Sequence, residues 1–132
     1  MGFEIAVQTV VYQKLASYSP LLALVVGVYD DVDEDQLFPY VTIGESTHNA
    51  WDTDNTLGDD TTISVHVWSR KSGKKETKTI QAEIYNALQR SNLTYAGHDI
   101  IAVDWVGSET FMDADGKTRH GVQTFRVLLE RV

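Results

Sequence analysis

Residues 61–69 read Thr-Thr-Ile-Ser-Val-His-Val-Trp-Ser, and their alternation decides what the rest of the chain must supply. Ile63, Val65 and Val67 fall on one side of an extended strand and Ser64, His66 and Trp68 on the other, because successive strand side chains point to opposite faces. Such a strand buries one face and needs an apolar layer to meet it. Upstream, Asp52 to Asp60 is rich in Asp, Asn, Thr and Gly and reads as a hairpin connection longer than the two-residue type, with a mobile tip. Before it, Pro39 lacks an N–H donor and suits a strand start. Tyr40 to Ile43 reads as a strand ending near Gly44, and strand character resumes from Ser46 to Trp51.

The apolar layer comes from helices. Downstream of the central strand, Ile80, Ile84, Ala87 and Leu88 form a stripe opposite Lys75, Lys78, Glu83 and Gln89, which predicts a helix over 73–90 with Ser72 as its cap. Near the N-terminus, Val7, Val10, Val11 and Leu15 keep helical spacing and predict a helix over 4–17. Ser19-Pro20 resembles an N-cap followed by proline at the first helical position, opening a short turn through Leu24. Val25 to Tyr29 either continues that turn or starts a strand. Two more strands, 100–110 and 120–131, flank a turn at Asp113 to Lys117 whose Asp-Gly pair favours a hairpin. The expected fold is α+β: a mostly antiparallel sheet of four to five strands packed on two helices, in a single domain over 1–132.

At 132 residues the chain suits one core. Its 42% hydrophobic and 23% charged content is that of an ordinary globular domain rather than a disordered or membrane protein. The apolar run Leu21 to Val28 is far shorter than the roughly 18 residues that a membrane span requires. No secretory signal is visible. Cysteine is absent, which removes disulfides, thiolate metal sites and cysteine nucleophiles and suits a reducing cytoplasm. A net charge of −8 repels a nucleic-acid backbone, which argues against sequence-specific DNA binding.

Catalytic and ligand motifs fail in detail. His48, His66, His98 and His120 lie in separate segments without an H-x-x-x-H pair, so no helix offers two imidazoles to zinc. The simplest reading leaves His66 partly buried beside Trp68 and the other three exposed. A calcium loop starting at Asp52 and Asp54 would need glycine at Leu57 and glutamate at Ile63, and the Asp113–Gly116 segment is too short. Gly116-Lys117-Thr118 resembles the end of a phosphate-binding loop, but Phe111 stands where that loop needs glycine. No serine occupies a nucleophile elbow, and no triad spacing stands out. Asn92-Leu93-Thr94 matches a glycosylation triplet but has no signal peptide to bring it to the machinery.

Two charged segments invite an interface reading instead. Asp30, Asp31, Asp33, Glu34 and Asp35 cannot enter a core unpaired and must form a surface loop. Arg70, Lys71, Lys74, Lys75 and Lys78 gather five of the eleven basic residues near the start of the second long helix. They form either a solvated face or a docking patch for an acidic neighbour, including the acidic loop of an identical subunit. A head-to-tail contact of that kind generates a ring when its rotation closes.

The order of several elements resembles one family. Val28-Tyr29-Asp30, Phe38-Pro39-Tyr40-Val41-Thr42-Ile43-Gly44, Trp51-Asp52-Thr53, and Ile63 to Arg70 with Gly73 are similar to the tail completion, or tail terminator, proteins of long-tailed phages and phage-like gene transfer particles. The Asp113 to Gly116 turn and Gly121-Val122-Gln123-Thr124-Phe125 extend the resemblance to about 100 residues. The resemblance implies a non-catalytic subunit without cofactor or metal. It implies a ring, usually a homo-hexamer, that caps the tail tube, stops its polymerisation and joins tail to head. The implied partners are further copies of the chain, the major tail tube protein and a head completion or connector protein. DNA would pass the channel without specific binding and no membrane would be involved. The protein would be assembled in the bacterial cytoplasm and reside in the virion. Candidate contact residues are Asp30, Asp31, Asp33, Glu34 and Asp35; Asp52, Asp54, Asp59 and Asp60 of the hairpin; and the basic group from Arg70 to Lys78, because such contacts need projecting, polar, adjustable segments. Trp51 and Trp68 read as packing groups. Outside this family, a small ligand-binding or regulatory α+β domain with a pocket between sheet and helices is the alternative, and a small hydrolase built on scattered Asp and His residues comes third.

Overall fold

In the computed structural model, which describes residues 2–132, the chain runs α1 (Phe3–Ala16), α2 (Ser19–Leu22), β1 (Val28–Tyr29), β2 (Tyr40–Ala50), β3 (Gly58–Ser69), α3 (Lys75–Leu88), β4 (His98–Met112) and β5 (Arg119–Arg131). The five strands form one sheet in the order β1-β2-β3-β5-β4. Every neighbouring pair is antiparallel except the short parallel pairing of β1 with β2. The α+β architecture follows the sequence expectation, and Val25 to Tyr29 resolves into an edge strand.

Both long helices lie on one face of the sheet. Val7, Val11 and Leu15 of α1 and Ile80, Ile84 and Leu88 of α3 are fully or almost fully buried against Val41, Val65, Val67, Phe125 and Leu129. This is the face that Ile63, Val65 and Val67 require, and apolar area removed from water there is the main force holding the layers together. The space between sheet and helices, where the ligand-binding alternative placed a pocket, is filled by these side chains. α3 crosses β5 closely: a Cβ on Gly121 would lie 2.6 Å from Gln81 Nε2 and 2.8 Å from Thr77 Cγ2. The Gln123 amide donates to the Gln81 carbonyl at 3.0 Å, which ties the same two elements.

Several boundaries differ from the sequence expectation for identifiable reasons. β2 does not end at Gly44 but runs on to Ala50 through a bulge between Ile43 and Ser46. The glycine is needed because a Cβ there would strike the His66 ring across the strand pair. The hairpin connection is shorter than expected, since β3 starts at Gly58 and takes in Asp59 and Asp60. α3 begins after Lys74 with no side-chain cap, so Ser72 does not cap it. It ends at Leu88, where Gln89 turns extended and Arg90 takes a φ of 52°. α2 stops at Leu22, and its N-cap is Tyr18 rather than Ser19.

Candidate functional site

The acidic loop leaves β1 at one lateral edge of the sheet. Asp30 lies beside Gln8, Thr9, Tyr12 and Gln13 of α1. Asp31, Asp33, Glu34 and Asp35 are exposed, and Leu37, which closes the segment, is 70% exposed. Among the described residues, none of the five carboxylates makes an ion pair. The loop therefore projects its charge outward, as expected from the cost of burying unpaired carboxylates.

The basic group divides in two. Arg70 is used internally: its guanidinium sits 4.2 Å from the centre of the Phe38 ring, donates to Thr118 Oγ1 at 3.3 Å and comes within 4.0 Å of Asp115. Lys71, Lys74, Lys75 and Lys78 make no ion pair among the described residues. Lys78 stands on α3 facing Trp105, Ser108 and Glu109 of β4, the opposite lateral edge from the acidic loop.

The hairpin aspartates also separate. Asp54 is exposed at the tip. Asp52 closes the loop, its carboxylate accepting from the Gly58 N–H at 2.9 Å. Asp59 is buried on the helix-facing side of β3, accepting from His48 Nδ1 at 2.6 Å and from the Thr61 hydroxyl. Asp60 accepts two bonds from Arg126, at 2.9 and 2.7 Å, which hold its carboxyl below its ordinary range. Asp59 and Asp60 are thus not projecting loop residues: strand pairing with β5 commits both to bonds within the subunit.

The sheet face turned away from the helices carries a cluster that the sequence did not reveal. His120 is buried rather than exposed, stacked on Trp68 with ring centres 3.8 Å apart. His66 touches His120 at 2.7 Å and Glu45 Oε1 at 2.7 Å, while His120 Nδ1 lies 3.3 Å from Asp113. Burial, and then the proximity of His66, push the His120 pKa down, against an opposing pull from Asp113. The His66 bond holds the Glu45 carboxyl low. The nitrogens are occupied by one another and by carboxylates, and among the described residues no group of three potential ligands gathers for a metal. The only advance signal was that His66, Trp68 and His120 occupy same-face positions of two strands whose pairing was unknown.

A second feature missed in the sequence is a groove of about 460 Å³ between α3 and β4. Tyr85 and Trp105 meet edge-on across it, with ring centres 5.9 Å apart and both rings substantially exposed. A bulge between Trp105 and Gly107 turns Val106 outward, 56% exposed. Trp105 and Val106 lie on an edge strand, with no further strand beyond it among the described residues.

Comparison with known proteins agrees with this geometry. Residues 9–130 match the family "Tail completion protein gp17". The tail completion protein gp17 of Bacillus phage SPP1 is 30% identical over 117 residues, covering 89% of this chain and 87% of that protein. The solved structure of bacteriophage SPP1 gp17 superposes with a TM-score of 0.66 at 29% identity, covering 93% of this chain and 88% of that one. A chain from the virion of a native gene transfer agent particle shares the fold more closely, with a TM-score of 0.89 at 23% identity and 96% coverage of both chains. A match over nearly the whole length, by sequence and by fold together, places this chain in the tail completion protein gp17 family of structural, non-enzymatic phage tail proteins.

Proposed function

We propose that the chain is a tail terminator: copies assemble into a ring, six-membered as in the family resemblance, at the head-proximal end of the tail tube. There the ring ends tube polymerisation and offers a surface to a head completion or connector protein. The observation that carries this reading is the separation of uncompensated negative charge at one sheet edge from uncompensated positive charge around the start of α3. Five carboxylates sit at the β1 edge, and four lysines without an ion pair among the described residues sit around the start of α3, Lys71 and Lys75 beside Leu24 and Lys78 at the β4 edge. Two different, complementary surfaces on one subunit favour head-to-tail contacts, and such contacts close into rings or continue into filaments. Asp52 and Asp54, at the hairpin end, are candidates for contact with the tube. A net charge of −8 suits a channel through which DNA passes without sticking. Assembly takes place in the bacterial cytoplasm before the virion is complete.

Adding purified chain to polymerising tail tube protein tests the reading. Negative-stain images should show rings on tube ends and shorter tubes. Unaltered tube lengths with no ring in any condition would reject it. The double substitution Lys74→Glu/Lys75→Glu should weaken ring formation, and unchanged rings and tube binding would remove the lysines from the interface.

A further inference from the structure

The α3–β4 groove combines three features that together point to a protein occupant. Tyr85 and Trp105 present aromatic surface at its centre, and aromatic anchors of this type dominate protein interfaces. Trp105 is held firmly, its backbone N–H donating to Gln89 Oε1 at 2.6 Å and its indole N–H to Ser108 Oγ at 2.8 Å. The rim is formed by β4, a 15-residue edge strand beyond which no further strand pairs among the described residues, its Val103 carbonyl and Trp105 N–H being taken up by Arg90 and Gln89. What this edge offers a partner is apolar side chain, since Ile101 and Val106 are each more than half exposed along it. Lys78 supplies an unpaired positive charge on the α3 side, while Glu109 stands on the β4 side.

We propose that a second copy of this chain docks here, inserting the 30–37 segment that follows its β1 along the groove. This rests on the ring reading above and names the contact that would build it. The segment matches the groove in apolar content and meets its one lining lysine: among the described residues its carboxylates make no ion pair, and Lys78 stands free to receive one on the α3 side, away from Glu109 on the β4 side. Leu37, 70% exposed, supplies the apolar group for Trp105 and Val106. Because donor segment and acceptor groove lie at opposite ends of the strand order, each subunit gives to one neighbour and receives from the other, and the contact repeats.

The lack of cysteine in the chain allows a direct test. Chains carrying Leu37→Cys and Ala82→Cys, which alter no charge, are mixed with tail tube protein present and oxidised. A disulfide-linked pair of the two variants is expected. Leu37→Cys mixed with Thr124→Cys, on the open sheet face, should give none. Adding Lys78→Glu to the Ala82→Cys chain should reduce the linked pair while its circular dichroism stays that of the parent. Rings in negative stain without the linked pair, or a pair formed equally well with Thr124→Cys, would overturn the docking proposal and leave the ring standing. Cross-linking of Ala82→Cys only to a cysteine-substituted tube protein would overturn it as well. The absence of rings from wild-type chain with tubes would overturn the ring reading itself.

Discussion

His66 Nδ1 lies 2.7 Å from His120 Nε2, a contact that joins residues 54 positions apart across the β3–β5 pair. Two neutral imidazoles carry one N–H each, whereas the contacts running from Glu45 through both rings to Asp113 call for three protons. The 3.3 Å separation of His120 from Asp113 is the longest of the three.

The pair makes stability depend on pH. Burial and the neighbouring imidazole lower the His120 pKa from its ordinary 6.5, so below that value the unfolded chain binds more protons than the folded one. Its contribution is fully present above 6.5 and is lost as pH falls through the lower folded value. Urea midpoints measured from pH 8 to 5 should fall more steeply for the wild type than for His120→Gln. Parallel curves would show that the ring does not titrate with folding.

Gly121 is expected to be intolerant. In Gly121→Ala the new methyl meets Thr77 and displaces the Gln81 amide, which donates to the Glu109 carbonyl at 3.2 Å. Crowding of this kind costs about 1–3 kcal/mol. At Gly107 a Cβ would have nothing within 4 Å, so Gly107→Ala should change stability by no more than about 0.5 kcal/mol. Equal urea midpoints for the two variants would contradict the close approach of α3 to β5.

Asp115 organises the β4–β5 turn. Its carboxylate accepts from the Thr118 hydroxyl and from the Thr118 and Lys117 N–H groups, which lower its pKa from 3.8 to about 2. The stabilisation is present above 3.8 and disappears as pH falls through about 2. Asp115→Ala should lower Tm at pH 6, and the difference from wild type should vanish at the acid end of the range. A difference that persists there would assign the effect to turn geometry rather than to the charge.

The legible parts of the fold were those with a local period. The alternation of residues 61–69 and the stripe from Ile80 to Leu88 lie in one strand and one helix, because burial on a single face repeats at 2 or 3.6 residues whatever the partner. What stayed hidden depended on partners distant in sequence. Gly44 looked like a strand end, yet its reason is the His66 ring across the pairing. Asp59 looked like a loop residue until β5 extended the ladder to it. The acidic loop and the lysines were visible as charge, because no packing is needed to see it. The groove was not, since Trp105 and Val106 read as ordinary strand residues until the strand proved to be an edge.

The strand order also governs when the molecule can become stable. β3 gains its second neighbour only from β5, which pairs residues 58–69 with 119–130. Until β5 is available, the sheet is reduced to β1-β2-β3 with β4 left without a strand partner, and Phe125, Val127 and Leu129 are missing from the core. Pairings so distant along the chain form slowly, because the intervening loop must be ordered before they reward it. A growing chain therefore carries an unfinished sheet, with its edges open, until β5 has emerged to join β3 to β4.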